Sequence, residues 1–120
     1  MNSAVFVIQV IAALGIYNVW LLRFGKSTGW RGGAASTMKE EFEVYGLPPW
    51  SVQVIGFLKL LFATCLIIGI WYPPLTRPAA IGLAVLMMGA IAMHLKVKDP
   101  LKKSLPALVM LVFSVFIAAV

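Results

Sequence analysis

The 120-residue chain holds one cysteine (Cys65), one histidine (His94) and only four acidic side chains. A lone cysteine excludes an internal disulfide and a Cys-x-x-Cys redox pair, and cysteine and histidine together fall short of the roughly four ligands of a structural zinc site. Charged residues make up 12% of the chain, hydrophobic residues 62%, and the mean hydropathy is +0.97. Soluble domains carry about 25% charged residues, and a small globule has too much surface to cover with so few of them. The solvent these residues suit is therefore lipid. The length predicts about one domain, and no internal repeat, low-complexity tract or linker divides it. The net charge of +6 is read by position, because basic residues beside membrane segments orient a chain before they suggest nucleic acid. No nucleic-acid partner is expected.

Four apolar stretches have the length of about 20 residues that crosses roughly 30 Å of hydrocarbon. They run from about 4 to 22, 50 to 71, 78 to 95 and 104 to 120. The first stops at Arg23, Gly25 and Lys26; without a basic start or a cleavage site it reads as a retained span, not a signal peptide. Pro73 and Pro74, which lack backbone donors, close the second, and Pro78 suits the first turn of the third. The expected fold class is all-α, a polytopic membrane protein with a four-transmembrane-helix bundle.

Arg23, Lys26, Arg31 and Lys39 fall in the first connection, Lys96, Lys98, Lys102 and Lys103 in the third, and only Arg77 on the opposite side. This bias predicts that the connections 23–49 and 96–103 are cytoplasmic and both termini outside. Tyr17, Trp20, Trp30 and Trp50 near the basic side, and Trp71 and Tyr72 near the other, have the placement of interfacial aromatic belts. Within the first connection, residues 25–33 are turn-like. Thr37 with Glu40 has capping-box spacing, and Met38, Phe42 and Tyr45 recur at helical intervals before Gly46 and Pro48 supply a stop. A short interfacial helix is expected over about 37–46, between spans 1 and 2. Its apolar edge would face lipid or bundle and Lys39, Glu40, Glu41 and Glu43 would face water.

Polar groups inside the spans are costly and ask for a partner or a purpose. Asn18, Gln53, Lys59 and His94 fall in the same half of the membrane and predict one polar pocket open to the basic side, a candidate ligand site. Gln53, Gly56, Lys59 and Ala63 share one face of the second span, and Gly56 and Ala63 admit a close neighbour. Lys59, whose type costs about 2.5–3.5 kcal/mol at a helix centre, has three readings: it snorkels to the basic surface, binds an acidic or carbonyl-bearing ligand, or pairs with a partner subunit. His94 reads equally as an ordinary interfacial histidine, and Asn18 and Gln53 as interhelical glue. Cys65 reads as packing, and Met87, Met88 and Met93 as filler, not metal ligands; no metal site is expected. Gly82 and Gly89 offer small surfaces for packing within one chain or in a homo-oligomer. All four acids fall in connections, which argues against a proton-coupled exchanger, whose chemistry needs a membrane-embedded acid, and the single histidine has no acidic partner within the spans for Ser-His-Asp chemistry.

The run Phe-Glu-Val-Tyr-Gly-Leu-Pro at 42–48 is followed by Val-Ile-Gly-Phe-Leu-Lys-Leu-Leu-Phe-Ala at 54–63 and Leu-Ile-Ile-Gly-Ile-Trp at 66–71. With Arg77 to Ala84 and Gly89-Ala-Ile-Ala-Met-His94, it resembles the DoxX-like family of small four-helix membrane proteins. The likeness extends from about Gly15 onward and touches Gly46, Leu47, Pro48, Gly56, Lys59, Gly69 and His94. The family position three after the second-span glycine is often acidic; here it is Lys59. The family's namesake is a small membrane subunit associated with quinone-linked sulfur oxidation. The resemblance thus implies an accessory subunit in the bacterial inner membrane, in contact with membrane lipids and a redox-enzyme partner. The pocket of Asn18, Gln53, Lys59 and His94 would receive a quinone head group or an isoprenoid lipid, with no self-contained catalytic set. A second reading is a ligand-free scaffold or assembly factor that docks a partner through Phe42 and Tyr45. A small-solute transporter ranks last, since the other half of the membrane offers only Gln9 to a through-path.

Overall fold

The computed structural model describes residues 3–26 and 31–120. Five α-helices follow one another: α1 (Ser3–Tyr17), α2 (Met38–Val44), α3 (Trp50–Ile68), α4 (Thr76–Lys96) and α5 (Leu105–Ala119). With their flanking turns, α1, α3, α4 and α5 form four helical segments long and apolar enough to cross a membrane, Ser3–Leu22, Trp50–Ile68, Pro73–Lys96 and Leu101–Ala119. The expected four-helix membrane bundle is present. α1 packs on α3 and α5, and α4 packs on the same two, so the four spans close into a ring.

The exterior is as apolar as the interior, which suits lipid and not water. Val7, Leu14, Phe57, Val85 and Val112 are all more than half exposed. The interior is tight and small: Ala13, Ala63 and Ala80 are fully buried, with Leu66 and Leu83 between them. The Phe62 ring of α3 lies where a methyl on Gly82 of α4 would stand, 2.6 Å from its carbons, so Gly82 serves packing within the chain. Gly89 does not: a methyl there would meet nothing within 4 Å.

The spans differ from the sequence expectation at their ends. α3 stops at Ile68, three residues short of Trp71, and passes into turns in which the Ile67 carbonyl takes the Ile70 N–H and the Ile68 carbonyl those of Trp71 and Tyr72. Gln9 of α1, fully buried, donates Nε2–H to the Leu66 carbonyl at 2.8 Å, and the Thr76 hydroxyl donates to Gly69. Pro73 and Pro74, expected only to close the second span, open the third as a single 3₁₀ turn, which their missing N–H groups allow. α4 thus begins at Thr76, before Pro78. On the same side Arg77 donates to the Ala118 carbonyl at 2.9 Å, supplying a cation to the end of α5. Trp50, Trp71 and Tyr72 are exposed at the bundle ends as an aromatic belt requires, but Trp20 is buried at 7% exposure. Trp30, also expected at that boundary, lies outside the described residues.

The helix expected over 37–46 is α2, and its caps follow the sequence signals. Thr37 accepts the Glu40 amide at 3.2 Å, and Glu40 reaches back to the Ser36 amide at 2.9 Å. Gly46, at φ +79°, ends the helix: its N–H bonds to Glu43 and that of Leu47 to Phe42, a Schellman turn that requires a left-handed residue. The Pro48 carbonyl then receives the Ser51 amide as α3 begins.

Candidate functional site

The first and third connections fold onto each other. Gly33 donates its N–H to Asp99 at 2.9 Å, Lys103 Nζ donates to the Gly33 carbonyl at 2.6 Å, and Lys96 Nζ donates to the Tyr45 carbonyl at 2.8 Å. Together they cap one end of the bundle. Inside the cap Arg31 is 4% exposed. It donates to the Arg23, Phe24 and Lys26 carbonyls and pairs with Glu41 at 3.1 Å. Glu41 also accepts the Tyr45 hydroxyl at 2.6 Å and the Gly32 amide at 3.2 Å. This corrects one expectation: Glu41 faces inward, because Arg31 and Tyr45 satisfy it there. Lys39, Glu40 and Glu43 are exposed as expected.

Beneath the cap a cavity of about 1060 Å³ runs between α1, α3, α4 and α5. Most of its wall is aliphatic; its polar end carries Asn18, Lys59 and His94, with Glu41 and Tyr45 from the cap. The structure thus places three of the four sequence-predicted pocket residues on one cavity. Gln53 is exposed on the outer surface of α3. At 100° per residue it lies about 60° beyond Gly56, past the edge of the buried stripe. Asn18 begins a π-helical turn, Asn18–Leu22, closed by an Arg23 N–H to Asn18 carbonyl bond of 2.9 Å. Such widened turns are frequent at functional sites.

Lys59 holds its ammonium 5.4 Å from the Trp20 ring centroid, and no carboxylate among the described residues pairs with it. The same indole packs against Gly56, one turn earlier on α3, where a methyl would come within 2.7 Å of it. The ring thus gives the ammonium a cation–π contact one turn toward the basic end of the bundle. From Lys59 an aromatic row follows the cavity wall. Trp20 and Phe42 centroids stand 6.1 Å apart, Phe42 and Tyr45 6.3 Å, and Tyr45 and His94 5.8 Å. Phe42 and Tyr45, the residues a docking partner would grip, are 8% and 5% exposed and belong to this row.

His94 ends α4 buried at 5% exposure, and its Nδ1 lies 2.8 Å from Asp99 Oδ2. The acidic partner missing from the spans arrives from the connection. Lys98 makes this possible by taking a left-handed conformation at φ 59°. With it, Lys98 N–H bonds to Leu95 and Asp99 N–H to His94, folding the chain back over the imidazole. A side-chain-bearing residue pays about 1–2 kcal/mol for that conformation, so no glycine marked the turn in the sequence. Asp99, Glu41, Arg31 and Trp20 are the site residues that sequence reasoning missed.

Two titrations outside the spans follow. Burial, then the bond to Glu41, pushes the Tyr45 hydroxyl up, so it stays a donor. Burial by itself would raise the Asp99 carboxyl, but hydrogen bonds from His94 and Gly33 and the charge of Lys103 hold it below its usual value. A depressed carboxylate stabilises the fold above its unfolded pKa of about 3.9, and this contribution is lost as pH falls through the lower folded value. Protection of the Gly33 amide against hydrogen exchange is expected to be constant from about pH 7 to 5 and to collapse only below about 4. Loss already near pH 6 would show that Asp99 is not held ionised.

A model of the DoxX-like family matches residues 16–117. No curated protein and no solved structure matches the chain. The match runs from the end of α1 through nearly all of α5, and takes in the cap, His94 and the cavity wall except Ile11 and Gly15. The chain belongs to the DoxX-like family and is an integral membrane protein of four spanning helices.

Proposed function

We propose that this protein is a non-catalytic accessory subunit of a membrane redox system, and that its cavity holds a quinone head group or a similar isoprenoid lipid. The observation that carries this reading is the combination in one cavity of an aliphatic length, an aromatic wall and an ammonium without a carboxylate partner. A volume of about 1060 Å³ is at the upper end of small-ligand sites, generous enough for a ring with several isoprene units. Lys59 would donate to a head-group oxygen, and the aliphatic wall would hold the tail. The basic cap, with its excess of lysine and arginine, belongs on the cytoplasmic side of a bacterial inner membrane.

The ligand-free scaffold has less support, since the cap already uses Phe42 and Tyr45. A through-path for a solute has less support too: in the other half Gln9 gives its amide N–H to the Leu66 carbonyl, and Thr64 and Thr76 give their hydroxyls to the Leu60 and Gly69 carbonyls. Native mass spectrometry of protein extracted with its lipids tests the reading. Wild type is expected to carry a quinone or isoprenoid adduct, and Lys59→Leu, which removes a charged hydrogen bond, to bind it roughly ten- to a hundredfold more weakly. A bare wild-type mass, or an adduct equally retained by the variant, overturns it.

A further inference from the structure

The cavity has two chemically different ends to its aromatic row. At one, Lys59 can only donate. At the other, His94 has committed Nδ1 to Asp99, and Nε2 has no hydrogen-bond partner among the described residues. An ionised Asp99 holds the ring proton on Nδ1, which leaves Nε2 of the neutral imidazole as an acceptor for whatever the cavity holds. The carboxylate is itself fixed from a second direction, by the Gly33 amide, and delivered by the left-handed Lys98. A histidine left as interfacial decoration needs none of this.

We infer that the cavity takes a phenolic, hydroquinone-type head group lying along Trp20, Phe42 and Tyr45, and that His94 accepts its proton, with Asp99 as the positioning residue. The inference rests on the reading that the cavity holds an amphiphile with a ring head group. In the step, the head-group O–H bond breaks, its electron pair stays on oxygen and an Nε2–H bond forms; no electron changes hands. The imidazolium faces the Asp99 carboxylate.

The charged surroundings agree. From the third connection His94 meets Asp99, with Lys103 behind it at 3.9 Å. From α2 it meets Tyr45, whose hydroxyl is bound to Glu41, and Glu41 is paired with Arg31. Lys96 holds the Tyr45 carbonyl. α5 contributes no titratable side chain. Asp99 is thus set against Lys103 and Glu41 against Arg31, while Lys59 and, at the exposed rim, Arg23 line this wall with no carboxylate partner among the described residues.

The chain has one histidine, so isotope-labelled histidine gives a single imidazole whose two nitrogens report tautomer and protonation by NMR. The full chain in lipid nanodiscs would be titrated with an alkyl-tailed nitrophenol, whose phenolate absorbs visible light, and in parallel with a quinone of the same tail. Without probe, Nδ1 is expected to be protonated and Nε2 bare. With the nitrophenol bound, Nε2 gains a proton as the phenolate absorbance appears. In Asp99→Asn the nitrophenol should still bind, but its ionised fraction at fixed pH should fall about tenfold, one pKa unit. If the variant does not fold, the wild-type spectra decide alone. Binding of both probes with Nε2 left bare overturns the proton transfer and leaves the cavity reading standing. Failure of both probes to bind overturns both.

Discussion

Replacing Arg31 by methionine is expected to open the cap and to cost about 3–5 kcal/mol, the penalty for stranding one member of a buried ion pair. The Arg31 and Glu41 side chains are 3% and 12% exposed, so water cannot solvate the carboxylate left behind. The arginine also donates to three backbone carbonyls, of Arg23, Phe24 and Lys26; the first two keep a backbone donor, from Lys26 and Met38, and all three lose the guanidinium. Thermal melting in detergent with hydrogen exchange over residues 31–47 would measure it. Adding Glu41→Gln should recover part of the loss, because a neutral amide tolerates burial without a cation while still accepting from Tyr45 and Gly32. A single variant within about 0.5 kcal/mol of wild type, the range of ordinary surface changes, would show that the pair is solvated and the cap loose.

The second large effect is expected at Gly56. A valine there places its Cβ where the Trp20 ring carbons lie 2.7 Å away, and the indole is a rigid plate backed by Phe24 and Phe42. Overpacking of this kind costs about 1–3 kcal/mol. Because the displaced ring is also the floor under Lys59, the variant should lose bound amphiphile along with stability. Trp20→Leu added to Gly56→Val should restore the melting temperature, since the shorter side chain vacates the space, but not the ligand, since the aromatic floor is gone. If Gly56→Val keeps both stability and adduct, the indole does not rest on this helix. Stability restored together with ligand would deny Trp20 its part in the site.

Hydropathy and periodicity made the four spans, the short helix before α3 and the common side of the two basic connections readable from the chain. Span length, a Thr-x-x-Glu start and a glycine stop are local signals, and each element obeyed its own. The inward direction of Asn18, Lys59 and His94 was also readable, because a polar group in hydrocarbon has few alternatives to the bundle interior. Gln53 shows where that argument ends. A helix face read from four residues has soft edges, and the neighbouring spans decide on which side of the edge a side chain falls.

What only the tertiary structure decided is where the acids go. In the sequence Glu41 and Asp99 lie in connections, and a connection suggests water. In the fold the two connections meet over the bundle, Arg31 turns Glu41 inward, and a lysine in a glycine-like conformation lays Asp99 on His94. Pairing between residues 66 positions apart, as between Gly33 and Asp99, leaves no trace in local propensity, because its free energy comes from the contact itself. The sequence by itself determined that this chain lives in lipid and which polar groups it carries there; the packing of its two connections determined which of them have partners.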